Sequence, residues 1–222
     1  MLGLNKTIKI IIINTINLIF LSGILVSQTT DVYTSNENSW VDSTLNSMTM
    51  EQRVAQLIFV RANYPNQPYF SNIDTLITSY NIGGVVFFKG SPIDQALQTN
   101  HWNSISKVPL MVAIDAEWGL AMRLSKTVKY PLQMTLGAVD NDNLIYAMGK
   151  QIGYQCKRLG IHMNFAPVVD VNSNPKNPVI GMRSFGQNPL FVAQKGMMYM
   201  KGLQKAGVIA CAKHFPGHGN TT

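Results

Sequence analysis

The sequence predicts an α/β fold built on a parallel sheet, and three observations carry that prediction. Short apolar runs, 83–88 and 109–115 among them, are apolar at successive positions, as strands covered on both faces must be. Between the runs stand amphipathic stretches of helical period at 94–106, 143–159 and 190–206, each long enough to cross back over a sheet. Polar residues collect where the runs stop: Asp115, Asp170 and Lys213-His214 end the third, fourth and fifth. Chemistry at the ends of several strands, instead of at one switch point, favours an eight-fold barrel over an open doubly wound sheet. The expected architecture is therefore a TIM-like (β/α)8 barrel, truncated after about five β/α units.

The N-terminus stands apart. Lys6 and Lys9 precede the apolar segment 10–26, and Ser27-Gln28-Thr29-Thr30 gives it a small polar exit, so 1–27 reads as a secretory signal peptide or, uncleaved, a membrane anchor. Either implies a secreted or periplasmic protein of the cell envelope, membrane-anchored in the second case. A polar spacer, 28–39, leads to the barrel domain at 40–222. With 46% hydrophobic and 13% charged residues among 222, and no low-complexity tract, the chain can bury a sizeable core. Its formal charge of +7 includes Lys6 and Lys9 and is otherwise scattered, without a basic stripe interleaved with aromatics, which argues against a nucleic-acid partner.

Trp40, Val41, Leu45 and Met48 fall at helical spacing, and Thr49-Met50-Glu51-Gln52 has the pattern of a capping box opening a second helix. A first strand is expected at 57–60 and a helix at 73–80, followed by the strand at 83–88. After the helix at 94–106 and the strand at 109–115, Asp140-Asn141-Asp142-Asn143 reads as the start of the helix at 143–159. It lacks the Gly and distal Glu of a calcium loop. In that helix Ile145, Met148, Ile152, Cys156 and Leu159 share one face, and Gly160 stops it. The fourth strand is expected over 162–170. Leu190, Ala193, Met197, Met200 and Leu203 form the expected inner face of the next helix, Gly207 ends it, and the fifth strand begins at Val208. Cys156 and Cys211 are expected as two buried thiols on opposite sides of the sheet layer, not as a disulfide.

Three constellations carry chemistry. Asp115 and Glu117 lie two residues apart at a strand end, with Trp118 and Arg123 within reach. Carboxylates accept hydrogen bonds from vicinal hydroxyls and an indole offers its face to a sugar ring, although Asp115 and Arg123 equally suit a structural ion pair. Asp170 opens a long Pro-rich loop that it is expected to tie down through backbone N–H groups, and Arg183 within that loop supplies a fork of donors. Lys213-His214 is the most telling pair, because an inward Lys needs a partner or ligand. His214 and His218 have the spacing of a helical metal pair, but Pro216, Gly217 and Gly219 forbid the helix, so no metal and no cofactor is expected.

Lys213-His214-Phe215-Pro216-Gly217-His218-Gly219-Asn220-Thr221 resembles the signature of the family 3 glycoside hydrolases, in particular their β-N-acetylglucosaminidase (β-N-acetylhexosaminidase) branch. The stretches 82–87, Asp115 to Arg123, 165–171 and Arg183-Ser184-Phe185-Gly186 agree with that family in order, so the resemblance spans about 40–222. It implies removal of terminal β-linked N-acetylglucosamine from peptidoglycan or chitin-type oligosaccharides, with retention through a glycosyl-enzyme. Asp115, Arg123, Arg183, Lys213 and His214 are the implied substrate-binding residues. The family's acid/base His, in an Asp-Ser-His, and its nucleophilic Asp follow this signature, and neither is expected within the 222 residues, so the chain alone is expected to be inactive. Two other readings stay open: a catalytically dead carbohydrate-binding protein, and a β-glucosidase-type exo-glycosidase of the same family.

Overall fold

The computed structural model describes residues 39–62 and 70–221. The segment expected to be a signal or anchor, and the spacer except Ser39, lie outside the described residues. The chain divides into two units, 1–46 and 47–222. Within the first, the helical spacing around Trp40 and Val41 forms α1, Ser39–Asn46.

The second unit opens with α2, Met50–Ala55, whose capping box is complete: Thr49 Oγ1 accepts from Gln52 N at 3.3 Å and Gln52 Oε1 from Thr49 N at 3.1 Å. The strand expected at 57–60 starts two residues later, as β1, Phe59–Ala62. The reason lies in the helix end, where Leu57 N and Ile58 N still bond the carbonyls of Val54 and Ala55, leaving Leu57 outward and exposed. A short helix α3, Phe70–Thr75, widens into a π turn, Leu76–Tyr80, which Asn81 ends in the left-handed conformation. Then follow β2, Gly84–Phe87, buried throughout; α4, Pro92–Ile105, with a second capping box between Ser91 and Asp94; and β3, Met111–Ile114. After a short α5, Gln133–Gly137, come α6, Asp142–Arg158, started by Asn141 as expected; β4, Met163–Asn164; α7, Pro189–Lys205; and β5, Ile209–Ala210.

These strands form one five-stranded sheet in the order β1-β2-β3-β4-β5, every neighbouring pair parallel. Strands that add in chain order without reversing direction across the sheet are the barrel pattern, and all their carboxyl ends open on the same side.

Two further elements depart from the sequence pattern. The fourth run, expected as a strand over 162–170, is regular only at Met163–Asn164. Pro167 has no N–H to donate, and Cys211 N is shared between the carbonyls of Asn164 and Ala166, so the ladder bulges. Pairing resumes at Val168 and Lys213, through Lys213 N to Pro167 O at 3.0 Å and Val169 N to Lys213 O at 2.6 Å. On α7 the inner face is Val192, Lys195, Gly196, Tyr199 and Leu203, whereas Leu190, Ala193 and Met197 point outward. The face is turned because α7 meets α6 through glycines. A Cβ on Gly202 would lie 2.3 Å from Tyr146 O, and one on Gly149 2.5 Å from Tyr199 O. Glycine counts as polar in a periodicity reading, yet here it marks the contact. Lys195 accompanies it inward, its ammonium 2.6 Å from Val139 O and 2.8 Å from Asp142, whose carboxyl it holds below the usual range.

On α6 the expected face holds, with Ile145, Met148, Ile152 and Cys156 buried. Both cysteines are free thiols; Cys156 is buried and pushed up to about 12 by that burial, but Cys211, expected to be buried, is only half so because it sits at the bulge. Among the described helices none is long and apolar enough to cross a membrane.

Replacing Gly202 by Ala tests the helix contact. Helix propensity alone favours Ala by about 1 kcal/mol, but overpacking against backbone costs about 1–3 kcal/mol, and the rigid neighbours decide the sign. A lower urea midpoint is expected for Gly202→Ala in the full-length protein, and an unchanged or higher one contradicts the packing.

Candidate functional site

The carboxyl ends of β3, β4 and β5 carry the polar cluster. Asp115 follows β3 directly, and Glu117 follows on the same parity with no solvent access. That turn is held from two sides. The Asn164 amide, at the end of β4, accepts from Ala116 N at 2.9 Å and donates to Ala116 O at 3.2 Å. The buried Tyr199 hydroxyl on α7 lies 3.0 and 3.1 Å from the carbonyls of Ala116 and Glu117. Burial raises the Tyr199 hydroxyl well above its ordinary range, so it stays protonated and donates.

Thus oriented, Glu117 receives a two-pronged bond from Arg183, Nε to Oε2 at 2.9 Å and Nη2 to Oε1 at 2.7 Å. Lys213 Nζ stands 2.8 Å from Glu117 Oε1 and 2.8 Å from Asp115 Oδ1. Arg123 Nη2 completes the chain at 2.7 Å from Asp115 Oδ2, with its guanidinium 4.7 Å from the centre of the Phe88 ring. Burial by itself would raise both carboxyls. Lys213 and Arg123 override it at Asp115, and Arg183 and Lys213 override it at Glu117, so both titrate below their ordinary values. The Glu117 bond in turn raises Arg183, against the burial that would lower it.

Asp115 therefore bonds both Arg123 and Lys213, as their shared place at the strand ends suggested, and Arg183 joins them through Glu117. His214 is attached elsewhere: its Nδ1 is 2.5 Å from Asp170 Oδ2. Asp170 also accepts from His214 N at 3.2 Å and His218 N at 2.6 Å, so it ties down backbone as the sequence suggested, and holds a side chain as well. Beside this pair opens a cleft of about 580 Å³ lined by Val169, Asp170, Val171, His214 and Phe215. A second hollow of about 440 Å³ lies against α2 and β1, lined by Met50, Val54, Ile58, Leu76 and Ile82, and its apolar wall offers little to a hydroxylated ligand. Among the described residues no group of three or more His, Cys, Asp and Glu converges as a metal site.

Asn164, Tyr199 and Phe88 escaped sequence reasoning, because none carries a charge or a recognisable spacing. Glu117 was visible, two residues from Asp115, but its burial was not.

A parallel, sequentially ordered sheet with ion-paired polar groups at its carboxyl ends defines a barrel of the enzyme-bearing kind. Comparison makes it specific: residues 49–222 match the glycosyl hydrolase family 3 N-terminal domain, and the chain belongs to that family. It is 40% identical over 162 residues to β-hexosaminidase A of Pseudoalteromonas piscicida, covering 67% of this chain and 27% of that protein. It is 30% identical to a β-N-acetylglucosaminidase/β-glucosidase of Cellulomonas fimi, covering 82% of this chain and 32% of the relative. Among solved structures, a family 3 β-N-acetylglucosaminidase from Paenibacillus sp. superposes with a TM-score of 0.71 at 38% identity, covering 79% of this chain and 34% of that one. The chain thus spans about a third of the length of these three relatives.

Two outcomes are expected from the ion pairs. Glu117→Gln leaves Lys213 and Arg183 short of a buried anion and should destabilise the full-length protein by about 3 kcal/mol, read as a lower denaturation midpoint. Since the folded values of Asp115 and Glu117 lie below their ordinary ones, their contribution is present above about pH 4 and is lost as pH falls through the depressed values. A stability–pH profile should show that acid loss, and Glu117→Gln should flatten it.

Proposed function

We propose that the full-length protein removes terminal β-linked N-acetylglucosamine from peptidoglycan- or chitin-type oligosaccharides with retention of configuration, and that this chain supplies the groups that hold the terminal sugar. The observation that carries the reading is the charge balance of the site. Asp115, Glu117 and Asp170 face Arg123, Arg183, Lys213 and a histidine, each strong donor already matched by a carboxylate. Such a site has little surplus charge for an ionic ligand. It does present paired donors and acceptors at fixed spacing, which suits neutral vicinal hydroxyls. The names of the relatives, β-hexosaminidase and β-N-acetylglucosaminidase, support the choice of sugar.

Asp115, Arg123, Arg183, Lys213 and His214 are the proposed sugar ligands, with Glu117 holding Lys213 and Arg183 in place. The sequence contains no Asp-Ser-His, so the 222-residue chain alone is proposed to lack turnover. Segment 10–26, outside the described residues, is proposed to direct the protein to the envelope or beyond. The Cellulomonas fimi relative, named for both sugars, favours a second reading in which β-glucosides are also cleaved.

The test is hydrolysis of nitrophenyl N-acetyl-β-glucosaminide and β-glucoside by the full-length protein, with the anomer of the first product followed by proton NMR. Preference for the acetamido sugar and a β-anomer are expected; comparable cleavage of both substrates favours the second reading, cleavage of the glucoside alone rejects the first, and an α-anomer rejects retention. Lys213→Ala should lower kcat/KM about a hundredfold, because a charged hydrogen-bonding group is removed, and an unaltered value rejects its role.

A further inference from the structure

Asp170 is nearly fully buried, yet it does more than close a loop. Its Oδ2 faces both the backbone N–H and ring Nδ1 of His214, and its Oδ1 faces the backbone N–H of His218. An ionised carboxylate can only accept, so the hydrogen between Asp170 and His214 belongs to Nδ1. In a neutral imidazole the other nitrogen then carries a lone pair. The His214 side chain is one-third exposed, and both residues line the 580 Å³ cleft.

From this geometry we propose that Asp170 is a positioning residue: it locks His214 as the Nδ1–H tautomer and makes Nε2 an acceptor for a hydroxyl hydrogen of the ligand. This rests on the sugar-binding reading above. Arg123, Arg183 and Lys213 can only donate. His214 thereby gives the site a neutral acceptor, which selects a ligand group carrying a hydrogen and discriminates against a carbonyl or ether oxygen at that place.

The imidazole is braced from behind as well. The His218 ring meets it edge-on at 5.8 Å between centroids, and His218 Nδ1 is engaged by the Thr221 hydroxyl. Asn177 Nδ2 in turn donates to His218 O at 2.6 Å, while Asn177 Oδ1 accepts from Val179 N and Ile180 N. The loops following β4 and β5 therefore form one support beneath His214. A carboxylate that merely tied this loop would have no use for the ring nitrogen, whereas Asp170 engages ring and backbone through the same oxygen.

The experiment uses the full-length protein labelled with ¹⁵N-histidine. Long-range proton–nitrogen spectra at about pH 9, where imidazoles are ordinarily neutral, should show His214 protonated at Nδ1 and bare at Nε2, and Asp170→Asn should populate the other tautomer. An Nε2–H tautomer in the unmodified protein, or an unchanged one in Asp170→Asn, overturns the positioning role. Binding of N-acetylglucosamine and its 3-, 4- and 6-deoxyfluoro derivatives, in which fluorine cannot donate, is a second measurement that does not need the Asp170 variant to fold. At one position fluorine should weaken binding about tenfold, and this penalty should nearly vanish in His214→Ala. Equal penalties in both proteins overturn the acceptor role. Absence of N-acetylglucosamine binding with the Nδ1–H tautomer in place would instead overturn the sugar reading, and with it the ligand assigned to Nε2.

Discussion

The Glu117 carboxylate is charged at a point that water does not reach, and most of the polar architecture follows from that. A buried anion must be paired and its oxygens satisfied. Arg183 takes both oxygens in a fork and Lys213 takes one of them, so residues from the loops after β3, β4 and β5 are drawn to one centre. Lys213 then reaches Asp115, and Asp115 reaches Arg123. Without the buried carboxylate, Lys213 and Arg183 would be neighbouring cations with only Asp115 between them.

The scaffold makes this affordable by leaving the turn at 115–117 almost no freedom. The Asn164 amide pairs with both polar atoms of the Ala116 backbone, and the Tyr199 hydroxyl reaches in from α7. Since α7 is itself seated against α6 through Gly149 and Gly202, and Gly149 packs on Tyr199, helix packing behind the polar cluster helps to set where Glu117 sits. A second support, built on Asp170 and Asn177, holds His214 beside this network. Such rigidity keeps the donors and acceptors at the carboxyl ends of the strands aimed before any ligand arrives.

How much of this could be read from residues alone varies with the element. The α6 face was legible because Ile145, Met148, Ile152 and Cys156 repeat at helical spacing and are what the helix buries. On α7 the same reasoning chose Leu190, Ala193 and Met197, which the structure turns outward. There the inner contact uses Gly196 and a buried Lys195, residue types that hydrophobic periodicity discounts. The fourth strand looked continuous, but Pro167 and the bulge opposite Cys211 cut it to two paired residues.

Local pattern, in the end, determined the parallel α/β class, the order of its main elements, the helix starts at Thr49 and Asn141, and the gathering of Asp115, Arg123, Arg183 and Lys213-His214 at strand ends. Those depend on spacings of a few residues and on the physics of one element at a time. Which partner each charge takes was decided only by the fold. Glu117 and Arg183 lie far apart in the chain, as do Asp170 and His214, and a hydrogen bond between them exists only because the sheet sets their strand ends side by side.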